Sequence, residues 1–134
     1  MPARHRVGLI GAGRMGSNHA RALAGHPRLV LAAVADRDPA RAAALGQHYD
    51  VPVAADAAAL AGSVDAVVIA TSSASHAEVA RRVLAAGRPC LIEKPLALTE
   101  ADCLDLVVLA ASLGIAVVVG LLAFIGTQSA FYCM

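Results

Sequence analysis

Short apolar runs alternate along this chain with longer stretches in which small and apolar residues recur at three- and four-residue spacing. The first run, residues 7–10 (V-G-L-I), predicts a strand, and residues 15–24 predict a helix that stops near Gly25 with His26-Pro27 behind it. Leu29–Ala35 (L-V-L-A-A-V-A) predicts a second buried strand ending at Asp36. Asp38 then caps a helix over residues 40–48, with Pro39 at its first position. Val51-Pro52-Val53 is a short extended piece suited only to a sheet edge, since proline lacks a donor. Asp56 caps one or two turns to Ala61, and residues 65–70 (D-A-V-V-I-A) form the next strand. It runs into a polar loop, Thr71-Ser72-Ser73-Ala74. Ser75 and Glu78 have the spacing of a capping box for a helix to Ala86 that stops at Gly87. Residues 89–92 predict a strand running into Glu93-Lys94-Pro95. Thr99 caps a further helix, with Glu100 and Asp102 in its first turn, that ends near Gly114. Residues 115–119 predict one more strand.

Strands alternating with helices imply an α/β domain, a doubly wound parallel sheet of the Rossmann type with right-handed crossovers. Such sheets bind ligands outside the carboxyl ends of their strands, where the strand order reverses. Four polar clusters fall at predicted carboxyl ends and are expected to converge on one crevice: residues 11–16, Asp36-Arg37, residues 71–75 and residues 93–95.

The first cluster, Gly11-Ala12-Gly13-Arg14-Met15-Gly16, is a G-x-G-x-x-G turn between strand and helix. Gly11 permits the sharp turn, Gly13 lets the backbone approach a pyrophosphate, and Gly16 lets helix and strand pack closely. The phosphates would sit at the helix N-terminus, where unpaired N–H groups and the helix dipole favour negative charge. Asp36 stands about 20 residues beyond Gly16, as a dinucleotide fingerprint requires. A carboxylate there accepts from the ribose hydroxyls of NAD and repels the 2′-phosphate of NADP, whereas Arg37 beside it could pair with that phosphate. NAD is the expected cofactor, with NADP left open. Lys94 is the sole lysine in a chain that otherwise uses arginine for positive charge. An ammonium at a strand end can hydrogen-bond a substrate hydroxyl and steady the oxyanion as hydride leaves carbon.

Bulk properties narrow the choices. The 134 residues make about one domain, and 58% hydrophobic with only 3% aromatic suits a sheet buried on both faces. A net charge of +1, with charges scattered, gives no basic stripe for nucleic acid. Cys90, Cys103 and Cys133 form no C-x-x-C, and the five histidines have no ligand spacing. We therefore expect a reduced, cytoplasmic setting and no metal site. His19, alone within its helix, is expected as a packed or surface residue. Residues 4–10 are too short and too soon interrupted for a signal peptide.

No charged residue occurs after Asp105, and residues 106–126 are long enough on paper to cross a bilayer. Gly114 at a helix-to-strand turn and the missing Lys/Arg flank argue against a span. Composition shifts after Gly120, where both Phe and Tyr132 occur. Residues 121–134 thus look like a different sequence joined to a domain covering residues 1–120, as truncation or a frame change would produce. Such an apolar tail could drive association, so a homo-oligomer is one expectation.

With these marks placed, residues 6–120 resemble the N-terminal domain of the Gfo/Idh/MocA oxidoreductases, relatives of glucose–fructose oxidoreductase and inositol dehydrogenase. The glycine turn, Asp36, the Thr71–His76 loop and the E-K-P triplet carry the likeness. The resemblance implies that Gly11, Gly13, Arg14, Met15 and Gly16 line the pyrophosphate, and Asp36 and Arg37 the adenosine ribose. It places Thr71, Ser72 and His76 on the nicotinamide-ribose side, with Glu93 and Lys94 at the reaction centre, Lys94 being catalytic. The peptide before the triplet's proline is often cis in that family. The substrate implied is a sugar, polyol or related hydroxyl or carbonyl compound. Ser72 stands where the family loop normally has proline, and Leu121-Leu122-Ala123-Phe124 replaces its usual continuation. The family's C-terminal α/β substrate domain, which carries Asp/His acid–base residues, has no counterpart in this sequence, so the chain is expected to supply the cofactor-binding part. The alternative is a non-catalytic nucleotide-binding module or partner subunit, which could be membrane-associated through its tail.

Overall fold

A computed structural model describes residues 3–120. The domain boundary expected at residue 120 and the tail beyond it lie outside the described residues. Five strands are described, β1 (His5–Ile10), β2 (Leu29–Ala35), β3 (Ala66–Ile69), β4 (Cys90–Glu93) and β5 (Val117–Gly120). The helices are α1 (Arg14–Gly25), α2 (Pro39–Tyr49), α3 (Ala57–Gly62), α4 (His76–Ala85) and α5 (Glu100–Leu113). Among the described residues the strands form one parallel sheet in the order β2-β1-β3-β4-β5. Val53 adds a single parallel bridge to the outer side of β2. Val34 N–H donates to the Pro52 carbonyl and Ala54 N–H donates to the Val34 carbonyl, so Pro52 needs no donor. Counting this short third segment, the order is that of a Rossmann sheet.

Period-two alternation divides the core. Leu9, Leu31, Val34 and Val68 pack with Ala20 and Leu23 of α1 and Leu45 of α2. Ile10, Ala33, Val67, Ile69 and Ile92 face the other way, with Leu60 of α3, Val83 and Leu84 of α4 and Leu106 of α5. The alternation slips once. Val7 pairs with Leu31 but Gly8 with Ala33, and the bulged Ala32 shares a face with Ala33. Burying such branched side chains from water contributes about 1.5–3 kcal/mol each, which makes the sheet a stiff platform for its loops.

Side chains set the helix starts. Asp38 Oδ1 accepts from the N–H groups of Ala40 and Arg41, Asp56 Oδ1 from Ala59, and Thr99 Oγ1 from Asp102, as the sequence implies. The capping box at α4 does not form. The Ser75 hydroxyl turns to Thr71 Oγ1 (2.7 Å) and the Ser72 carbonyl (2.8 Å) within a 3₁₀ turn over Ser73–Ser75, and Glu78 pairs with arginines. The helix-to-strand turn at Gly114 that weighs against a span over residues 106–126 is present in the described part. α5 closes on Gly114 in the left-handed region (φ 66°), and the chain turns into β5. Among the described residues no helix is long and apolar enough to cross a membrane.

Candidate active site

Strand register brings the polar clusters to one edge. Ile10 lies opposite both Ala35 and Ile69, and Ile69 lies opposite Ile92. Gly11, Asp36 and Ala70 therefore leave the sheet in a row, beside Glu93, the last residue of β4. The strand order reverses at β1, directly beneath the glycine turn.

Each glycine of that turn meets a different constraint. Gly11 has φ +108°, and a Cβ there would collide with the Ala70 carbonyl oxygen. A Cβ on Gly16 would collide with the Gly11 carbonyl oxygen, so α1 and the turn are in backbone contact. Gly13 is unlike both. Its backbone (φ −81°, ψ −158°) suits any residue, and the nearest atom to an added Cβ is Arg41 Nη1, 3.8 Å away. Gly13 is also the N-cap of α1, with no side-chain cap and no acid in the first turn. The first N–H groups of α1 face an open surface with a guanidinium beside it, a cradle suited to a diphosphate.

Asp36 fixes the neighbouring wall. Its Oδ2 accepts from Ala12 N–H at 2.6 Å and its Oδ1 from Asp38 N–H at 2.7 Å, tying the glycine turn to the end of β2. Each oxygen keeps a lone pair for a ribose hydroxyl. Between these walls lies a crevice of about 700 Å³, lined by Gly11, Gly13, Asp36, Arg41, Thr71 and Ser72 among others. Arg37 reaches across it from the loop after β2, with Nη2 3.6 Å from Glu78 Oε2, and Arg82 holds the other oxygen of Glu78 at 2.8 Å. Arg14 is exposed and Met15 half-buried on the first turn of α1. Gly13, Arg14, Asp36, Arg37 and Arg41 fit the adenosine diphosphate half of a dinucleotide.

Under the crevice the structure adds partnerships that the sequence does not announce. His76 is 1% exposed and bridges two loops, with Nδ1 2.6 Å from the Pro95 carbonyl oxygen and Nε2 3.0 Å from that of Thr71. It braces the crevice floor rather than lining the cavity. His19 Nε2–H donates to Glu93 Oε1 at 2.6 Å, and both side chains are buried. His19 is thus packed, as its isolation in the sequence implies, but its partner is one of the triplet residues. Lys94 is exposed at the carboxyl end of β4, and the Lys94–Pro95 peptide is cis. Arg41, Glu78 and Arg82 are lining residues that the motifs did not reveal. Arg41, five residues past the fingerprint aspartate and on the first turn of the next helix, had a legible position but no motif of its own. Among the described residues no group of histidine, cysteine or acid side chains could hold a metal ion.

Comparisons with known proteins agree with this geometry. Residues 5–121 match the family model GFO_IDH_MocA, described as an oxidoreductase family with an NAD-binding Rossmann fold. Inositol 2-dehydrogenase 1 of Saccharopolyspora erythraea is 43% identical over 107 residues, 76% of this chain and 32% of that protein. The crystal structure of GenD2 from gentamicin A biosynthesis in complex with NAD superposes with a TM-score of 0.84 at 34% identity, covering 90% of this chain and 35% of that one. A biliverdin reductase from Synechocystis, solved with biliverdin and NADP⁺, gives 0.80 at 31% identity over 85% of this chain and 37% of its own. The chain spans about a third of the length of the relatives it matches. Strand order, glycine turn and family match together establish that this chain belongs to the Gfo/Idh/MocA oxidoreductases and carries their NAD-binding Rossmann domain.

Proposed function

We propose that this chain forms the cofactor-binding part of a cytoplasmic dehydrogenase that exchanges hydride between NAD and a hydroxyl-bearing carbon of a polyol or sugar. The observation that carries the reading is Asp36, whose carboxylate is held by two backbone N–H groups at the rim of a crevice floored by the glycine turn. When bound, NAD supplies the hydride acceptor. Gly13 leaves room for its diphosphate, the first N–H groups of α1 and the Arg41 guanidinium offset its charge, and Arg14 and Met15 border it. Asp36 takes the ribose hydroxyls and disfavours a 2′-phosphate, while Arg37, drawn toward Glu78, offers that phosphate little compensation. Thr71 and Ser72 border the nicotinamide side. Lys94 hydrogen-bonds the substrate oxygen and steadies its negative charge as carbon gives up hydride to NAD and the hydroxyl proton passes to water. The polyol class is supported by the 43% identity to an inositol 2-dehydrogenase.

Calorimetry on the 134-residue chain tests the cofactor assignment. NAD should bind, and Asp36→Ala should weaken it about ten- to a hundredfold, the range for losing hydrogen bonds to a charged acceptor. NADP should lose less, because the same substitution removes a repulsion. No binding at millimolar NAD would refute the reading.

A further inference from the structure

The Glu93-Lys94-Pro95 turn is gripped from two sides by buried histidines. On one side His76 spans the Pro95 and Thr71 carbonyls. On the other, His19 donates to Glu93 Oε1 across 2.6 Å, with 8% and 10% of the two side chains exposed. His19 sits one helical turn beyond Met15, on the helix whose N-terminus forms the diphosphate cradle. Breaking such a contact would leave a buried carboxylate without its partner, a costly state, so helix and turn are favoured to move together. Glu93 is the last residue of β4 and Lys94 the next in the chain, so whatever fixes the Glu93 side chain fixes the backbone from which the ammonium springs.

We propose that His19, acting through Glu93, is a positioning residue that couples occupancy of the diphosphate cradle at the start of α1 to the placement of Lys94. The coupling rests on the reading of this crevice as the NAD site. A ligand that orders the first turn of α1 restrains His19, the hydrogen bond passes that restraint to Glu93, and Lys94 follows. Lys94 itself need not touch the diphosphate.

The sole lysine makes this measurable in the full chain. Biosynthetic labelling with ¹³C-lysine gives Lys94 alone a lysine Cε–Hε signal, and calorimetry on the same samples reports NAD binding separately. In the wild type, saturating NAD should shift the Lys94 signal. In His19→Ala that shift should be lost at saturation, whereas His19→Gln, whose amide nitrogen reaches the Nε2 position, should restore it. If His19→Ala does not fold, as circular dichroism would show, His19→Asn takes its place, since its amide ends near the Nδ1 position and falls short of Glu93. Wild-type shifts in both the Ala (or Asn) and Gln variants would overturn the coupling. Equal loss in both would also overturn it, because packing rather than the hydrogen bond would then be responsible. NAD binding that leaves the wild-type Lys94 signal unmoved overturns the coupling and leaves the cofactor site standing; absence of NAD binding removes the cofactor site itself.

Discussion

At the scale of single residues, the three glycines of one motif divide between architecture and binding. A methyl group on Gly16 would overlap the Gly11 carbonyl, and one on Gly11 would overlap the Ala70 carbonyl in a backbone conformation that alanine resists. A methyl group on Gly13 would meet only the Arg41 guanidinium, at van der Waals distance. Gly16→Ala should therefore destabilise the fold by about 2–4 kcal/mol, as steric conflicts with fixed backbone do. Gly13→Ala should stay within about 0.5 kcal/mol of wild type and yet lose NAD affinity. Urea unfolding and calorimetry on the same two variants check the division. A Gly13→Ala chain that unfolds early, or binds NAD normally, would show that this glycine serves the turn rather than the ligand.

At the scale of elements, most of the architecture was legible because its causes are local. Period-two runs, Asp38, Asp56 and Thr99 at helix starts, and Gly87 and Gly114 at helix ends each act within a few residues. The capping box fails to competitors as near in sequence as its own bonds, with one distant partner beside them. Ser75 and Glu78 have the right spacing, but the hydroxyl turns back to Thr71 and Ser72 in the preceding 3₁₀ turn, and the carboxylate pairs with Arg82 one helical turn on and with Arg37 from beyond β2. The His19–Glu93 contact joins residues 74 positions apart, and no spacing rule could have paired them. The link between α4 and α5 is of the same long-range kind. Arg81 Nη2 donates to Asp102 Oδ1 at 2.6 Å, and this hydrogen bond, with a smaller share from Thr99, holds the Asp102 carboxyl below the usual carboxylate range. A depressed folded-state value means that the unfolded chain binds more protons as the solution acidifies. The contribution is complete above the ordinary carboxylate range and is lost as pH falls through the folded value. The Tm advantage of wild type over Asp102→Asn should thus be present at pH 7 and shrink below about pH 4. It should also weaken in about 1 M salt, since the pair lies at the surface. Thermal melts across pH and salt measure both.

At the scale of the molecule, the question is whether crevice and core behave as one cooperative unit. Cys90 offers a probe within the sheet. It lies on β4 between Val67 and Val117, is 3% exposed, and has its thiol pushed up to about 12 by loss of solvent. At pH 8 the folded form presents almost no thiolate, so alkylation of Cys90 reports opening of the sheet. The crevice is lined from the ends of β1, β2 and β3 and from α4, not from the Glu93–Pro95 turn; that turn reaches it only through His76, which bonds the Pro95 and Thr71 carbonyls, so separating β4 from β3 would loosen the loop that carries Thr71. A ligand that binds only the closed form then slows labelling by the factor 1 + [L]/Kd, about a hundredfold at one hundred times Kd. Mass spectrometry of the Cys90 peptide, with and without NAD, should show that slowing, and Asp36→Ala should reduce it at the same NAD concentration in proportion to its weaker binding. Labelling indifferent to NAD in a chain that binds NAD would mean that β4 and β5 open as a separate unit while the glycine turn, Asp36 and their ligand stay in place.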